Sequence, residues 1–262
     1  MKTLNVLQIE STNFCNAHCV FCPHSKFTEF GIMTDALYEK IVKQASELPN
    51  LECFIPMLTG EPLCDPKFIE RVKFARERMP WVRIEFYTNG HLLTREIIDD
   101  LKPVTDLHIS VSLNGVYAET RRAMMGLDDF LSVTQMLKYM EDSGLHYRST
   151  MVAHPEIKLG ELQEFVERGG VAIQYQSWCG EIYPYQRRRW TKCPRALTQM
   201  TVNYKGEVVL CCFDPFGKVL FGDLNSQTME EVWSSPKHRE LQRMHAQGRG
   251  NEMLLCEACT EG

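Results

Sequence analysis

The chain has no apolar run approaching the roughly 20 residues that cross a membrane. Its first residues, Met1-Lys2-Thr3-Leu4-Asn5-Val6, lack the long apolar core of a signal peptide. Membrane association is therefore not expected, and the cytoplasm is the expected location. A basic excess is also missing, since 29 Lys and Arg stand against 34 Asp and Glu for a net charge of −5. That balance gives no overall case for nucleic acid binding. Internal repeats and low-complexity tracts are absent, which excludes solenoids and disordered tails. Hydrophobic residues are not scarce: at 44% of 262 residues they can fill one large core, with or without a small appendage.

Cysteine is in excess. Eleven are present, at 15, 19, 22, then 193, 211, 212, then 256 and 259, with 53, 64 and 179 scattered. A reducing compartment disfavours structural disulfides, so clustered cysteines there indicate metal binding. The stretch Cys15-Asn-Ala-His-Cys19-Val-Phe-Cys22 has C-x3-C-x2-C spacing, which puts three sulfurs on one side of a helix-like turn. Three thiolates suit a cubane iron–sulfur cluster with one iron left open for a ligand. Two other readings use the same residues. His18 or His24 would complete a Cys3His zinc site, and Cys19-Val-Phe-Cys22 alone would be a redox C-x-x-C.

Along the chain, short apolar or alternating runs predict strands at 4–10, 52–58, 81–87, 106–113, 145–152 and 171–177. Between them, periodic apolar positions predict helices at 34–48, 67–79, 94–101, 128–143 and 159–168. Such alternation implies parallel βα units, in an open doubly wound sheet or a barrel. The pattern then changes. Residues 199–211 predict a β-hairpin turning at Lys205-Gly206, and 228–244 a single helix. This tail has too little apolar material for a core of its own.

Cys15-x3-Cys19-Val-Phe21-Cys22 resembles the signature of the radical S-adenosylmethionine (SAM) family, C-x3-C-x-aromatic-C near the N-terminus. The resemblance implies an α/β fold with a partial (β/α)6 barrel, over residues 1–178, and a [4Fe–4S] cluster on Cys15, Cys19 and Cys22. Thr59-Gly60-Glu61-Pro62 is similar to the family's Gly-Gly-Glu element for the SAM amino group, with Thr59 in place of the first glycine. Phe21, Gly60, Glu61, Asn89, Ser112 and Arg122 are the implied SAM contacts. Arg121 competes with Arg122 for the cofactor carboxylate, and Ser110 reads as core.

The tail supplies Cys193, Cys211, Cys256 and Cys259, a set that would also suit structural zinc. Gly206-Glu-Val-Val-Leu-Cys211, Gly222-Asp-Leu224 and Cys256-Glu-Ala-Cys259 resemble the shortened auxiliary-cluster ("twitch") domain of the same family. A small C-terminal hairpin-plus-helix unit, residues 179–262, with a second [4Fe–4S] cluster follows from that likeness. Too few cysteines remain for a third cluster. Cys212, next to Cys211 on a strand, points the other way, to packing or substrate.

The family's chemistry implies that a reduced first cluster cleaves SAM to a 5′-deoxyadenosyl radical, which abstracts hydrogen from carbon. A reducing partner such as flavodoxin or ferredoxin is implied too. The short one-auxiliary-cluster pattern is similar to the dehydrogenases that turn a secondary alcohol into a ketone, implying a small-molecule substrate of the sugar or aminocyclitol type. Alternatives are peptide modification, although this chain offers no stretch before residue 15 for a peptide-binding domain, and epimerisation with Cys179 as hydrogen donor. The non-enzyme alternative is a zinc-binding structural protein. Arg187-Arg188-Arg189 with Tyr183, Tyr185 and Trp190 reads as a solvated loop or an anion site.

Overall fold

In the computed structural model, residues 1, 3–182 and 192–260 are described. The tract at 187–189 lies outside them. Six strands run parallel: β1 (Val6–Ile9), β2 (Cys53–Ile55), β3 (Arg83–Thr88), β4 (Leu107–Ser112), β5 (Tyr147–Val152) and β6 (Val171–Ile173). Between them lie α1 (Asp35–Ala45), α2 (Phe68–Arg78), α3 (Arg95–Leu101), α4 (Ala118–Met125), α5 (Phe130–Asp142) and α6 (Leu159–Glu167). The sheet is open, and its helices seal one face with apolar stripes. In α1 that stripe is Leu37, Ile41, Val42 and Ala45, and the helix begins where the Thr34 hydroxyl accepts from Leu37 N.

The tail extends this sheet rather than standing apart from it. After α7 (Pro194–Thr198), β7 (Gln199–Val202) pairs in parallel with β1, register Val6↔Gln199 to Ile9↔Val202. β8 (Glu207–Val209) and β9 (Leu220–Asp223) follow antiparallel, giving the order β6-β5-β4-β3-β2-β1-β7-β8-β9. The hairpin expected at Lys205-Gly206 is present. Gly206 has φ +95°, a left-handed conformation open to glycine, and Asn203 Oδ1 accepts from Lys205 N and Glu207 N across the turn.

Several elements differ from the expectation, among them α4, which no periodic stretch announced. The single helix at 228–244 is two, α8 (Met229–Trp233) and α9 (Pro236–Ala246), followed by α10 (Leu254–Glu257). Pro236 has no N–H for a continuous helix and instead occupies the first turn of α9, capped by Ser235. The strand expected over 171–177 stops at Ile173, which frees the following residues to turn inward. Among the described residues no helix is long and apolar enough to cross a membrane.

Candidate active site

The C-terminal ends of parallel strands collect the site, as the geometry of such sheets favours. A cavity of about 540 Å³ opens there, within the usual range for small-molecule sites. Cys15, Cys19 and Cys22 line it from the loop after β1, together with Phe21, Gly60, Glu61, Asn89 and Ser112. Arg122 is absent from that lining.

The cysteine loop is held from several sides. Asn13 donates to Glu29 O and accepts from Gly31 N, both at 2.8 Å. Further on, His18 N and Val20 N donate to Met125 O and Met124 O at the end of α4, at 2.8 and 3.0 Å. Gly60 is where the loop after β2 meets it. A Cβ there would stand 2.4 Å from Thr12 O and 2.8 Å from Phe14 O, so only glycine allows the two backbones to touch. Thr59, which departs from the family pattern, hydrogen-bonds through its hydroxyl to the buried Glu10 carboxylate.

Glu61 is buried with both carboxylate oxygens engaged: Oε1 accepts from Thr88 Oγ1 at 2.7 Å and from Leu63 N at 3.2 Å, and Oε2 from Asn89 N at 2.6 Å. It joins the β2 loop to the end of β3. Burial raises its pKa to about 7 against the pull of those hydrogen bonds. Asn89 in turn donates to Asn16 Oδ1 at 2.7 Å, tying the β3 end to the cysteine loop.

The arginine pair resolves against the expectation. Arg122 has a side chain 55% exposed and pairs with Asp128 on the surface. Arg121, one residue back and about 100° around the helix, is fully buried. Its guanidinium binds Asp129 through two bonds, 2.6 and 3.0 Å, and donates to Asn89 O, Ser112 O and Leu113 O. It holds the ends of β3 and β4 together. Ser110 accepts from Arg148 Nε at 2.6 Å, away from the cavity.

A second, smaller void is lined by Cys193, Cys211, Cys256 and Cys259, from the start of α7, the end of the hairpin and α10. Cys179 lines it too. The expectation that Cys179 faces substrate is corrected: it is 8% exposed, and its thiol hydrogen-bonds with Cys259. Trp178 and Cys179 have φ +52° and +54°, left-handed values that non-glycine residues rarely adopt. This corner sends Trp178 to the first cavity and Cys179 to the second void. Cys212 lines the first cavity while Cys211 lines the second; both lie beyond the end of β8 at Val209, so the turn there, and not strand alternation, sends them apart.

Seven cysteines thus form two sets. None of the eleven is joined in a disulfide. Burial and the neighbouring Cys22 and Cys15 push the Cys19 thiol well up, and burial takes Cys22 to about 12. Burial likewise takes Cys256 to about 12 and raises Cys211. Thiolates crowded this way need cationic metal to offset their charge, and sulfur is the donor that iron–sulfur clusters use. Among the described residues no three His, Cys, Asp or Glu side chains are arranged to hold a single metal ion. A cubane is held otherwise, each thiolate on its own iron, so the donor set fits it. His24 Nε2 bonds to Asn13 O at 2.8 Å, and neither His24 nor His18 lines the first cavity.

Two residues, Arg195 and Phe213, line both spaces, stacked with the guanidinium 5.2 Å from the ring centroid. Neither was singled out from sequence. Their one visible signal is proximity, each lying two residues from a cysteine of the second set.

The fold and this paired arrangement define a class. The family model of the radical SAM superfamily matches residues 9–169, and that of an iron–sulfur cluster-binding domain (SPASM) matches 193–260. The chain belongs to the radical SAM superfamily. It is similar to the S-adenosyl-L-methionine-dependent 2-deoxy-scyllo-inosamine dehydrogenase of Niallia circulans, 25% identical over 98% of this chain and 93% of that one. Among solved structures it is similar to BtrN in complex with AdoMet and 2-DOIA, TM-score 0.67 and 19% identity over 98% of this chain and 93% of that one. It is also similar to Streptococcus suis SuiB bound to precursor peptide SuiA, TM-score 0.74 and 13% identity over 97% and 71%. A radical SAM iron–sulfur oxidoreductase is the class that these likenesses support.

Proposed function

We propose that the chain oxidises a secondary alcohol of a small polar substrate, of the sugar or aminocyclitol type, to a ketone. Residues 1–178 form the SAM-cleaving unit, and residues 179–262 hold a second [4Fe–4S] cluster. The observation that carries this reading is the shared wall: Arg195 and Phe213 border both the cavity and the second set of cysteines. A substrate in the cavity would lie one side-chain layer from an electron acceptor.

SAM bound at a reduced cluster supplies a 5′-deoxyadenosyl radical. The chain's own residues do the rest. Cys15, Cys19 and Cys22 hold the first cluster, with Phe21, Gly60, Glu61, Asn89 and Ser112 around the cofactor. Met57, Leu58 and Phe213 supply apolar wall that keeps water from the reacting carbon. Oxidation to a ketone removes one hydrogen atom from carbon, one proton from the hydroxyl and one further electron; Cys193, Cys211, Cys256 and Cys259 would hold the cluster that offers a place for that electron. A low-potential donor of the flavodoxin or ferredoxin kind would reduce the first cluster, and a reducing cytoplasm would keep the cysteines out of disulfides and available as ligands.

A redox-neutral outcome needs a hydrogen donor facing substrate. Cys179 does not line the cavity and Cys212 does, so a stereoinverting reaction would run through Cys212. The peptide alternative rests on fold likeness to SuiB. Anaerobic reaction of the reduced, cluster-loaded protein with SAM and 2-deoxy-scyllo-inosamine, neutral sugars or peptides separates these readings. A ketone with one 5′-deoxyadenosine per turnover supports the dehydrogenase. Inverted product that disappears in Cys212→Ala, or oxidised peptide, overturns it.

A further inference from the structure

The second void has more sulfur and nitrogen than a cubane needs. Four irons take four thiolates, which Cys193, Cys211, Cys256 and Cys259 provide. Cys179 and His245 border the same void and are left over. We propose that these two are hydrogen-bond donors to the sulfurs of Cys259 and Cys256, and that they raise the second cluster's reduction potential so that it takes an electron from the substrate. This inference rests on the two-cluster reading above.

The geometry assigns each donor. The Cys179 thiol, aimed by the left-handed corner at Trp178 and Cys179, hydrogen-bonds with Cys259. His245 is 3% exposed, with Nε2 3.7 Å from Cys256 Sγ and Nδ1 buried without a partner. A neutral imidazole has one N–H. On Nδ1 that proton would be orphaned in the interior, with the desolvation penalty of an unmade hydrogen bond. On Nε2 it points at sulfur. Donors to cluster sulfurs draw off electron density and favour the reduced form, which is one of the protein's means of setting such potentials. In a buried site ringed by thiolates, the extra electron needs that offset most.

The test uses the full chain with Cys15→Ala, Cys19→Ala and Cys22→Ala together, reconstituted so that only the second cluster remains. Iron and sulfide are counted, and the midpoint potential is read by electron paramagnetic resonance during redox titration. About four irons are expected in this parent. Cys179→Ala and His245→Phe should keep that iron and each bind the electron about tenfold more weakly, a fall of about 59 mV for a one-electron couple. Cys179→Ser and His245→Gln, which keep a donor, should recover most of the shift. Unchanged potentials overturn the proposal, as does loss of iron in either variant, which would make that residue a ligand. A parent without iron overturns the two-cluster reading itself.

Discussion

Trp178 Nε1 donates to the carbonyl of Phe21 at 3.0 Å, joining the residue before Cys179 to the residue before Cys22. Its ring also meets Phe213 edge-on at 5.6 Å. One side chain therefore fixes the spacing between the two cysteine sets. Trp178→Phe keeps the ring and removes the donor. It should cost about 1 kcal/mol of stability in anaerobic denaturation of the cluster-loaded protein, the net worth of one such bond.

Arg121 and Arg122 should behave as opposites. Removing Arg121 takes the guanidinium from the buried Asp129 carboxylate and leaves it only His91 at 2.8 Å, at a cost of about 3–5 kcal/mol. Arg122→Gln breaks an exposed pair and should change stability by less than about 1 kcal/mol. It should leave SAM affinity unchanged in equilibrium dialysis. A large loss of SAM binding in Arg122→Gln would return that arginine to the cofactor.

Gly60→Ala tests the contact between the β2 loop and the cysteine loop. The added Cβ would collide with Thr12 O at 2.4 Å, and backbone gives way less easily than a side chain. Overpacking of this kind costs about 1–3 kcal/mol. The strain falls on the loop that carries Cys15, so iron content after reconstitution should drop selectively at the first site.

Glu61 sets a pH dependence. Burial raises its carboxyl from 4.5 to about 7, so the fold favours the protonated form. That contribution is complete below about pH 4.5 and is lost as pH rises through 7. Compared with Glu61→Gln by urea denaturation from pH 5 to 8, the wild type should lose ground steadily, by on the order of 3 kcal/mol across the full shift. A difference that stays flat with pH would contradict this.

Local signals carried much of this structure into the sequence. Thr34 and Thr94 announce α1 and α3 as caps, and apolar periodicity places Val133, Leu137 and Met140 on the buried side of α5. Cys15, Cys19 and Cys22 line one space and Cys193, Cys211, Cys256 and Cys259 another. What stayed hidden depends on tertiary context. Parallel pairing of β7 with β1 joins residues about 190 apart and has no turn to mark it. Arg121 and Arg122 are chemically alike, and the rotation of α4 alone decides which is buried. The left-handed backbone at Trp178 and Cys179 gives no signal, since neither residue is glycine. Pro236 is a visible break that the expectation of one helix over 228–244 passed over.

On the proposed reading, one chain holds two clusters of different kind, one open to SAM and one closed by protein thiols. Anaerobic iron and sulfide analysis, with electron paramagnetic resonance of the reduced protein before and after SAM, tests it most directly. About eight irons per chain and two signals, of which one shifts with SAM, are predicted. About four irons with a single SAM-responsive signal would contradict the account, because the ketone-forming reaction would then have no resident acceptor for its second electron.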